Sequence, residues 1–433
     1  MRKAVFINVI LSIVISCSSV KNATKNLAVD TDIHRRFNQS SLYNSQFTGF
    51  SLFDIQEDKF IAGYNDTKRF TPASNAKVLT MYTVLKSFQD ALPALLYQAF
   101  DDSLLVQPIG DPTFLHPKFP KQTSYELLSN YQSIRITWPV NEVKAYGPGW
   151  SWEDYAYSFQ PQRSWWPAYG NRTDIIKKDD SIRVVPPFFT NYVEVNKKKK
   201  TGELVKRNLK YNLFSVYTDN DTSDFKRTIP FDYSKELLTQ LLTDTLSAEV
   251  RIAENLMIAP DTLFTYHVDS VLAPMMIQSD NFLAEQLLLV SAWKNGYTSF
   301  DAFLKHIKLI WLTDINDFVW VDGSGLSRYN LIAPVDMVRI LKKASEEFGF
   351  DRIKNLMAVG GQSGTLTNWY AAEEPYIFAK TGTLSNNHNL SGFLKTKSGK
   401  WLIFSFMNNH FTVPLATLKA EMQALLEEIR DTY

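Results

Sequence analysis

The chain has 433 residues, of which 45% are hydrophobic and 21% charged, and glycine and proline are not enriched. These values exclude a disordered or collagen-like chain and predict a globular protein of two or three domains. The formal net charge is +1, so no basic surplus indicates a nucleic-acid partner.

The N-terminus has the features of an export signal. Two basic residues precede an apolar stretch over 4–15, which is too short to cross a bilayer. The segment Val14-Ile15-Ser16-Cys17 resembles a bacterial lipobox, in which the cysteine becomes the lipidated first residue of the mature protein. We predict a lipoprotein signal peptide over 1–16 and lipidation of Cys17. An ordinary signal peptide with an incidental cysteine is the alternative.

The segments after the signal change from polar to strongly patterned. Residues 17–42 are polar and are predicted to be a tether. Two β-like runs, 46–55 and 59–64, predict a hairpin. Pro72-Ala73-Ser74 then opens a predicted helix that runs to about Phe88, with an apolar stripe on one side.

The middle of the chain, residues 91–249, is rich in Trp and Tyr and contains short β-like runs. The runs 191–195 and 203–217 predict a strand, a turn and a second strand. The lysine run 197–200 lies in that turn and predicts a solvated tip. A contact with anionic cell-wall polymer is the alternative.

The last part of the chain alternates helical and β-like patterns. Helical periodicity returns near Tyr233. Helices are then predicted over 269–293, 333–348 and 413–431, and strands over 376–384, 389–396 and 401–407.

Strands at both ends with helices between them predict an α+β fold, in which an antiparallel sheet is assembled from both chain ends and flanked by helices. The predicted catalytic domain comprises 43–90 and 250–433. Residues 91–249 are then a large, partly β insertion that forms one or more accessory domains.

Three short motifs occur in chain order: Ser74-Asn75-Ala76-Lys77, Ser279-Asp280-Asn281 and Lys380-Thr381-Gly382. S-x-x-K, S-D-N and K-T-G are the motifs of class A β-lactamases and penicillin-binding proteins. Each is weak alone, since Ser18 and Ser223 also begin S-x-x-K and Lys200 begins a second K-T-G. Context distinguishes them, because Ser74 opens a helix and Lys380 lies within a β-like run.

The first motif contains what a serine nucleophile needs. A hydroxyl is a poor nucleophile until a base takes its proton. Residues three apart on a helix share a face, so Lys77 is the candidate base for Ser74. The lysine must be neutral to accept a proton, which burial and the charge of Lys380 would favour. The Ser74 N–H at the helix start would stabilise an oxyanion.

The other two motifs suggest relay and binding roles. Ser279 would relay a proton to the leaving amine, Asn281 would hold the substrate amide, and Asp280 is predicted to be structural. The third motif lies on a predicted edge strand that the substrate would extend.

In the third motif, Lys380 and Thr381 would bind a terminal carboxylate and Gly382 would permit close backbone approach. The Thr383 N–H would be the second oxyanion donor. The segment Asn386–His388 is predicted to be a turn. The six histidines have no metal-ligand spacing, so no metal is predicted.

The mature chain as a whole resembles the class C low-molecular-mass penicillin-binding proteins, and seven stretches carry that resemblance. They are TPASNAKVLTM (71–81), GDPTF (110–114), YGPGWSWEDY (146–155), MIQSDNFLAEQLL (276–288), DGSGLSRYN (322–330), GQSGTL (361–366) and AKTGTLSNNHNLSGF (379–393). The wide separation of Ser74 from Ser279 fits this class. The chain also lacks the Glu-x-x-Leu-Asn loop of class A β-lactamases.

The resemblance implies a penicillin-recognising serine transpeptidase/β-lactamase-like fold and a serine-type D-Ala-D-Ala carboxypeptidase that can also act as a DD-endopeptidase. Ser74 would form an acyl-enzyme with peptidoglycan muropeptides, β-lactams would inhibit it, and no metal or organic cofactor is required. The protein would face the periplasm as a lipoprotein of the inner or outer membrane. Two alternatives stay open: a non-catalytic wall-binding or β-lactam-sensing lipoprotein on the same fold, and a β-lactamase or esterase. Residues 322–328 are expected to form a loop at the rim of the cleft.

Overall fold

A computed structural model describes residues 30–139, 143–197, 204–218, 222–254, 260–315 and 318–433. The strands are β1 (Phe47–Asp54), β2 (Lys59–Tyr64), β3 (Ala91–Phe100), β4 (Ser103–Pro108), β5 (Ser133–Ile136), β6 (Arg172–Lys178), β7 (Ser181–Val185), β8 (Val193–Asn196), β9 (Val205–Arg207), β10 (Phe214–Tyr217), β11 (Phe225–Pro230), β12 (Glu249–Ile252), β13 (Asp261–His267), β14 (Ala358–Val359), β15 (Ile377–Leu384), β16 (Asn387–Lys395) and β17 (Trp401–Asn409). The helices are α1 (30–39), α2 (Ser41–Asn44), α3 (Lys77–Ser87), α4 (Thr123–Leu128), α5 (Lys235–Leu246), α6 (Val268–Ile277), α7 (Asn281–Lys294), α8 (Phe300–His306), α9 (Pro334–Phe348), α10 (Phe350–Asn355) and α11 (Leu415–Thr432). None of the helices in these ranges is both long and apolar enough to cross a membrane.

One compact unit combines the described residues of 30–78, 314–319 and 330–433. Its sheet has six strands in the order β14-β15-β16-β17-β1-β2, and each neighbouring pair is antiparallel. β1 pairs with β17 along its whole length, from Phe47 opposite Asn409 to Asp54 opposite Leu402. An antiparallel sheet built from both chain ends is therefore confirmed, as is the α+β class.

Helices cover this sheet on both faces. Every residue of β1 from Thr48 to Asp54 is buried, although successive side chains of a strand point to opposite faces. α9 packs against β1 and β17, and α11 packs against β16. The predicted last helix is confirmed as α11, and its apolar residues at helical spacing are buried: Leu418, Met422, Leu425 and Ile429.

The tether prediction is wrong for residues 30–42, which fold as α1 and the start of α2. Ile33 and Phe37 are one helical turn apart and both are buried. The Phe37 ring stacks on Tyr64 of β2 with 4.6 Å between ring centres. Two apolar residues at this spacing attach a polar segment to the sheet. The rest of the predicted tether, 17–29, lies outside the described residues.

A second compact unit contains 79–313 and 320–329. It has three sheets, ordered β12-β5-β4-β3-β13, β11-β6-β7 and β8-β10-β9. α5 supplies Leu238, Leu241 and Leu242 to a core that includes residues of β4 and β5. The domain limits stay a prediction, but β13 pairs with β3, so residues to 267 share a sheet with the predicted insertion.

The predicted strand, turn and strand over 191–217 differs from the observed pairing. β8 runs parallel to β10, and β9 is the antiparallel partner of β10. Phe214 and Val216 of β10 are fully buried, whereas β8 is mostly exposed, so burial places β10 at the centre of the sheet. The predicted lysine tip falls mainly on 198–203, which lie outside the described residues.

Candidate active site

Ser74 lies in a tight turn at the start of α3. A 3₁₀ turn spans Ala73–Ala76, and the α-helix begins at Lys77 rather than at the proline. Ala73 has a φ of 48°, in the left-handed region that costs an alanine about 1–2 kcal/mol. Backbone strain of this kind is typical of functional positions, where surrounding contacts hold it in place.

The predicted pairing of Ser74 with Lys77 is present. The Lys77 Nζ donates to the Ser74 Oγ at 2.9 Å, and Lys77 is 0% exposed. A 3₁₀ turn has three residues per turn, so residues three apart lie directly above one another. The turn therefore places this hydroxyl and this amine on the same side of the backbone.

Buried amides of the sheet hold the Ser74 turn. Asn409 accepts from the Thr71 N–H at 2.7 Å, and Asn389 donates to the Thr71 carbonyl at 2.9 Å. Asn75 Nδ2 donates to Ser391 Oγ at 2.8 Å. No sequence motif predicted this role for Asn389, Ser391 or Asn409. Asparagine is disfavoured in strands, so its presence in apolar strands was the available signal.

Gly382 of β15 lies against the same turn. A Cβ built at this position would fall deep inside contact distance of the Pro72 carbonyl oxygen, 2.9 Å from the Asn75 nitrogen and 3.1 Å from the Ser74 nitrogen. All three atoms belong to backbone, which cannot move aside as a side chain can. The predicted need for a glycine is thus explained by the approach of β15 to the nucleophile turn.

Lys380 is the second buried amine of this unit. It is 0% exposed, and its Nζ donates to the Thr381 carbonyl at 2.8 Å. Burial, and then the charge of Lys77, hold the pKa of Lys380 well below its usual range. A positive charge on Lys77 therefore disfavours a proton on Lys380.

The neighbours of Lys380 on β15 also have fixed side chains. The Thr381 Oγ1 donates to the Thr365 Oγ1 at 2.8 Å. The Thr383 Oγ1 lies 2.8 Å from the Nδ1 of His388, and burial lowers the pKa of that histidine to about 3. The turn prediction for His388 is wrong, since Asn387 already begins β16 and pairs with Leu384.

Ser279 and Asn281 lie in the second unit. The helical region predicted over 269–293 consists of α6 and α7, and Ser279 between them has a left-handed φ of 61°. Asn281 is the first residue of α7, and its Nδ2 donates to the Phe159 carbonyl at 2.9 Å. The first unit thus brings together the predicted residues of the first and third motifs, and the second unit holds those of the middle one.

The glycine-rich loop 322–328 is organised by one carboxylate. Asp322 is fully buried and accepts from the Gly325 and Ser327 backbone N–H groups at 3.0 and 2.7 Å. The Trp150 Nε1 donates to the same side chain at 2.8 Å. These contacts give Asp322 a structural role in the second unit. Within the described ranges, no cluster of three His, Cys, Asp or Glu side chains could hold a metal ion.

Residues 29–429 match the sequence profile of the D-Ala-D-Ala carboxypeptidase 3 (S13) family. The D-alanyl-D-alanine carboxypeptidase DacB of Haemophilus influenzae is 25% identical over 89% of this chain and 90% of its own length. The crystal structure of penicillin binding protein 4 (dacB) from Haemophilus influenzae is similar with a TM-score of 0.70 at 20% identity, covering 88% of this chain and 95% of that one. The structure of the same protein complexed with a β-lactam is similar with a TM-score of 0.66 at 20% identity, covering 90% of this chain and 96% of that one. These likenesses confirm the predicted penicillin-recognising fold.

Proposed function

Because the chain belongs to the D-Ala-D-Ala carboxypeptidase 3 (S13) family and is a serine-type D-Ala-D-Ala carboxypeptidase of the cell envelope, we propose that it cleaves peptidoglycan stem peptides through an acyl-enzyme on Ser74. The contact of 2.9 Å between the Lys77 Nζ and the Ser74 Oγ carries this proposal. It places a buried amine where the proton of the hydroxyl must go.

In the proposed reaction, the Ser74 Oγ attacks the carbonyl carbon of the penultimate D-Ala while its proton passes to Lys77. The oxyanion is stabilised by the N–H groups of Ser74 and Thr383. The C–N bond then breaks, and D-Ala leaves after its amine receives a proton through Lys77 and Ser279. Water hydrolyses the ester and restores the hydroxyl. Asn281 holds the amide of the substrate during both steps.

Substrate recognition on β15 explains how Lys77 becomes neutral. Lys380 and Thr381 would bind the terminal carboxylate of the substrate. An anion beside Lys380 raises the pKa that burial and Lys77 have lowered. A proton on Lys380 disfavours one on Lys77, and a neutral Lys77 can accept the proton of Ser74.

The edge of β15 suits an extended peptide. Among the described strands, β14 pairs with β15 only at Phe378 and Ala379. The backbone from Lys380 onward therefore has room for a substrate that adds as a further strand. If the leaving amine belongs to the side chain of a neighbouring stem, the same acylation cuts a cross-link. A DD-endopeptidase activity is part of the proposal for this reason.

Labelling with a fluorescent penicillin tests the nucleophile. We expect the wild-type protein to form a covalent adduct and Ser74→Ala to form none, because β-lactams acylate the same hydroxyl. Wild type should also release D-Ala from a pentapeptide stem, whereas Ser74→Ala should not. Labelling of the variant would contradict the assignment. A stable label without D-Ala release would favour the non-catalytic alternative, and rapid loss of the label would favour a β-lactamase.

The membrane attachment is proposed from the sequence, since Cys17 and residues 1–16 lie outside the described residues. Lipidation of Cys17 would attach the enzyme to the inner or outer membrane, facing the periplasm. We expect Cys17→Ser to move the protein from the membrane fraction to the soluble fraction while penicillin labelling persists. A variant that stays in the membrane fraction would contradict a lipid anchor at this cysteine.

A further inference from the structure

Asp280 connects the middle motif to distant parts of the second unit. Its Oδ1 accepts from the Leu283 N–H at 3.2 Å and so caps the N-terminus of α7. Its Oδ2 lies 2.9 Å from the Nζ of Lys118 and 3.8 Å from the Nη2 of Arg172. The Asp280 side chain is only 6% exposed. The Oδ1 of Asp280 thus caps α7, and the Oδ2 forms ion pairs with two cations from the predicted insertion.

The arginine of this pair is itself held in place. Arg172 begins β6, and its Nη1 donates to the Ser158 carbonyl at 3.2 Å. Its Nη2 lies 3.2 Å from the His116 Nε2, and its guanidinium lies 5.6 Å from the centre of the Phe282 ring. The His116 ring stacks on the same phenylalanine, with 5.7 Å between centres and 18° between planes. We call Lys118, Arg172 and His116 the Asp280 clamp.

The charges of the clamp keep the carboxylate ionised. Burial alone would raise the pKa of Asp280, but the charges of Arg172 and Lys118 outweigh it and hold this pKa well below its usual range. Burial and the charge of Arg172 lower the pKa of His116 to about 3. His116 is therefore neutral at working pH, and its Nδ1 accepts from the Lys118 backbone N–H at 3.2 Å.

We infer that Lys118 and Arg172 are positioning residues for the reaction, acting through the Asp280 carboxylate to hold Ser279 and Asn281. These two residues flank Asp280 directly, and the left-handed φ of Ser279 requires surrounding contacts to maintain it. Neither cation needs to touch the substrate. The inference rests on the proposed roles of Ser279 and Asn281, and it gives the predicted insertion a part in the chemistry.

Lys118→Met tests the inference by removing one charge while keeping most of the side-chain length. We expect the second-order rate constant for penicillin acylation, and kcat/KM for D-Ala release, to fall about 10–100-fold, since small displacements of positioned groups have effects of this size.

Two matched variants separate the charge from general damage. Lys118→Arg keeps the cation and should restore most of the rate. Lys121→Met makes the same substitution at an exposed lysine of the same loop and should leave both rate constants unchanged. If Lys118→Met does not fold, judged by its melting temperature, Lys118→Gln removes the charge while keeping a hydrogen-bond donor. Wild-type rates in the folded variant would overturn the inference.

A double-mutant cycle shows whether Lys118 acts through Asp280. If it does, Asp280→Asn combined with Lys118→Met should be no slower than Asp280→Asn alone. Losses that multiply independently would overturn the inference. Ser279→Ala separates a failure of the proposed function from a failure of this inference. If Ser279→Ala acylates normally, the proposed relay through Ser279 is wrong. If Ser279→Ala acylates slowly while Lys118→Met acylates at the wild-type rate, only the proposed role of the Asp280 clamp is wrong.

Discussion

Replacing Lys77 with methionine is expected to lower the rate of Ser74 acylation about 10²–10⁴-fold, the range for loss of a general base. Lys77 is fully buried and its Nζ contacts the Ser74 Oγ at 2.9 Å, so methionine fills most of the same volume and removes only the amine. Stopped-flow or time-resolved labelling with a fluorescent penicillin measures the rate. The melting temperature and far-ultraviolet circular dichroism report whether the fold is retained.

Lys86→Met is the matched control for this experiment, because it makes the same substitution at an exposed lysine near the end of α3. It should acylate at the wild-type rate. If folded Lys77→Met acylates as fast as Lys86→Met, lysine is not the base and another group must accept the proton of Ser74.

Gly382→Ala is expected to damage activity and stability together. The added Cβ would meet the backbone of Pro72, Ser74 and Asn75, so β15 and the nucleophile turn would have to separate. We expect a loss of about 2 kcal/mol or more in the free energy of unfolding, at the upper part of the range for overpacking. Acylation should fall at least about 10²-fold, because a displacement of about 1 Å is enough for such a loss.

A glycine elsewhere in the same unit provides the comparison for Gly382→Ala. Gly399 has a φ of 90°, and a Cβ there would meet nothing within 4 Å. Gly399→Ala should therefore cost about 1–2 kcal/mol through backbone strain alone and leave acylation unchanged. Normal acylation and normal stability in Gly382→Ala would show that the turn and β15 are free to separate.

Local patterns in the sequence were sufficient for the N-terminal hairpin, the last three strands, the last helix and the Ser74–Lys77 pair. The hairpin of β1 and β2, the last three strands and α11 agree with the alternating or helical spacing of their apolar residues. Ser74 and Lys77 are three residues apart, so any helical turn brings them together. These features depend on neighbours in the chain, which a single sequence displays directly.

Contacts between distant residues could not be derived in this way. The spacing of Ile33 and Phe37 was hidden in a polar segment, and nothing local indicated that Phe37 would stack on Tyr64. The pairing of β8 with β10 depends on which strand is most buried. The ion pair between Lys118 and Asp280 joins residues 162 positions apart. Periodicity contains no information on such pairs, because each partner looks like an ordinary surface residue on its own.

The pairing of β1 with β17 has a consequence for the order of events during biosynthesis. Thr48 and Asn408 are 360 positions apart, yet their side chains share a hydrogen bond of 2.9 Å. The ribosome therefore makes the hairpin of β1 and β2 long before it makes β17. During that interval the hairpin of the exported polypeptide must not pair with any other strand. The buried amides that hold the Ser74 turn, Asn389 and Asn409, arrive with the last strands. A nascent chain is thus inert towards peptide and antibiotic alike until translation is nearly finished.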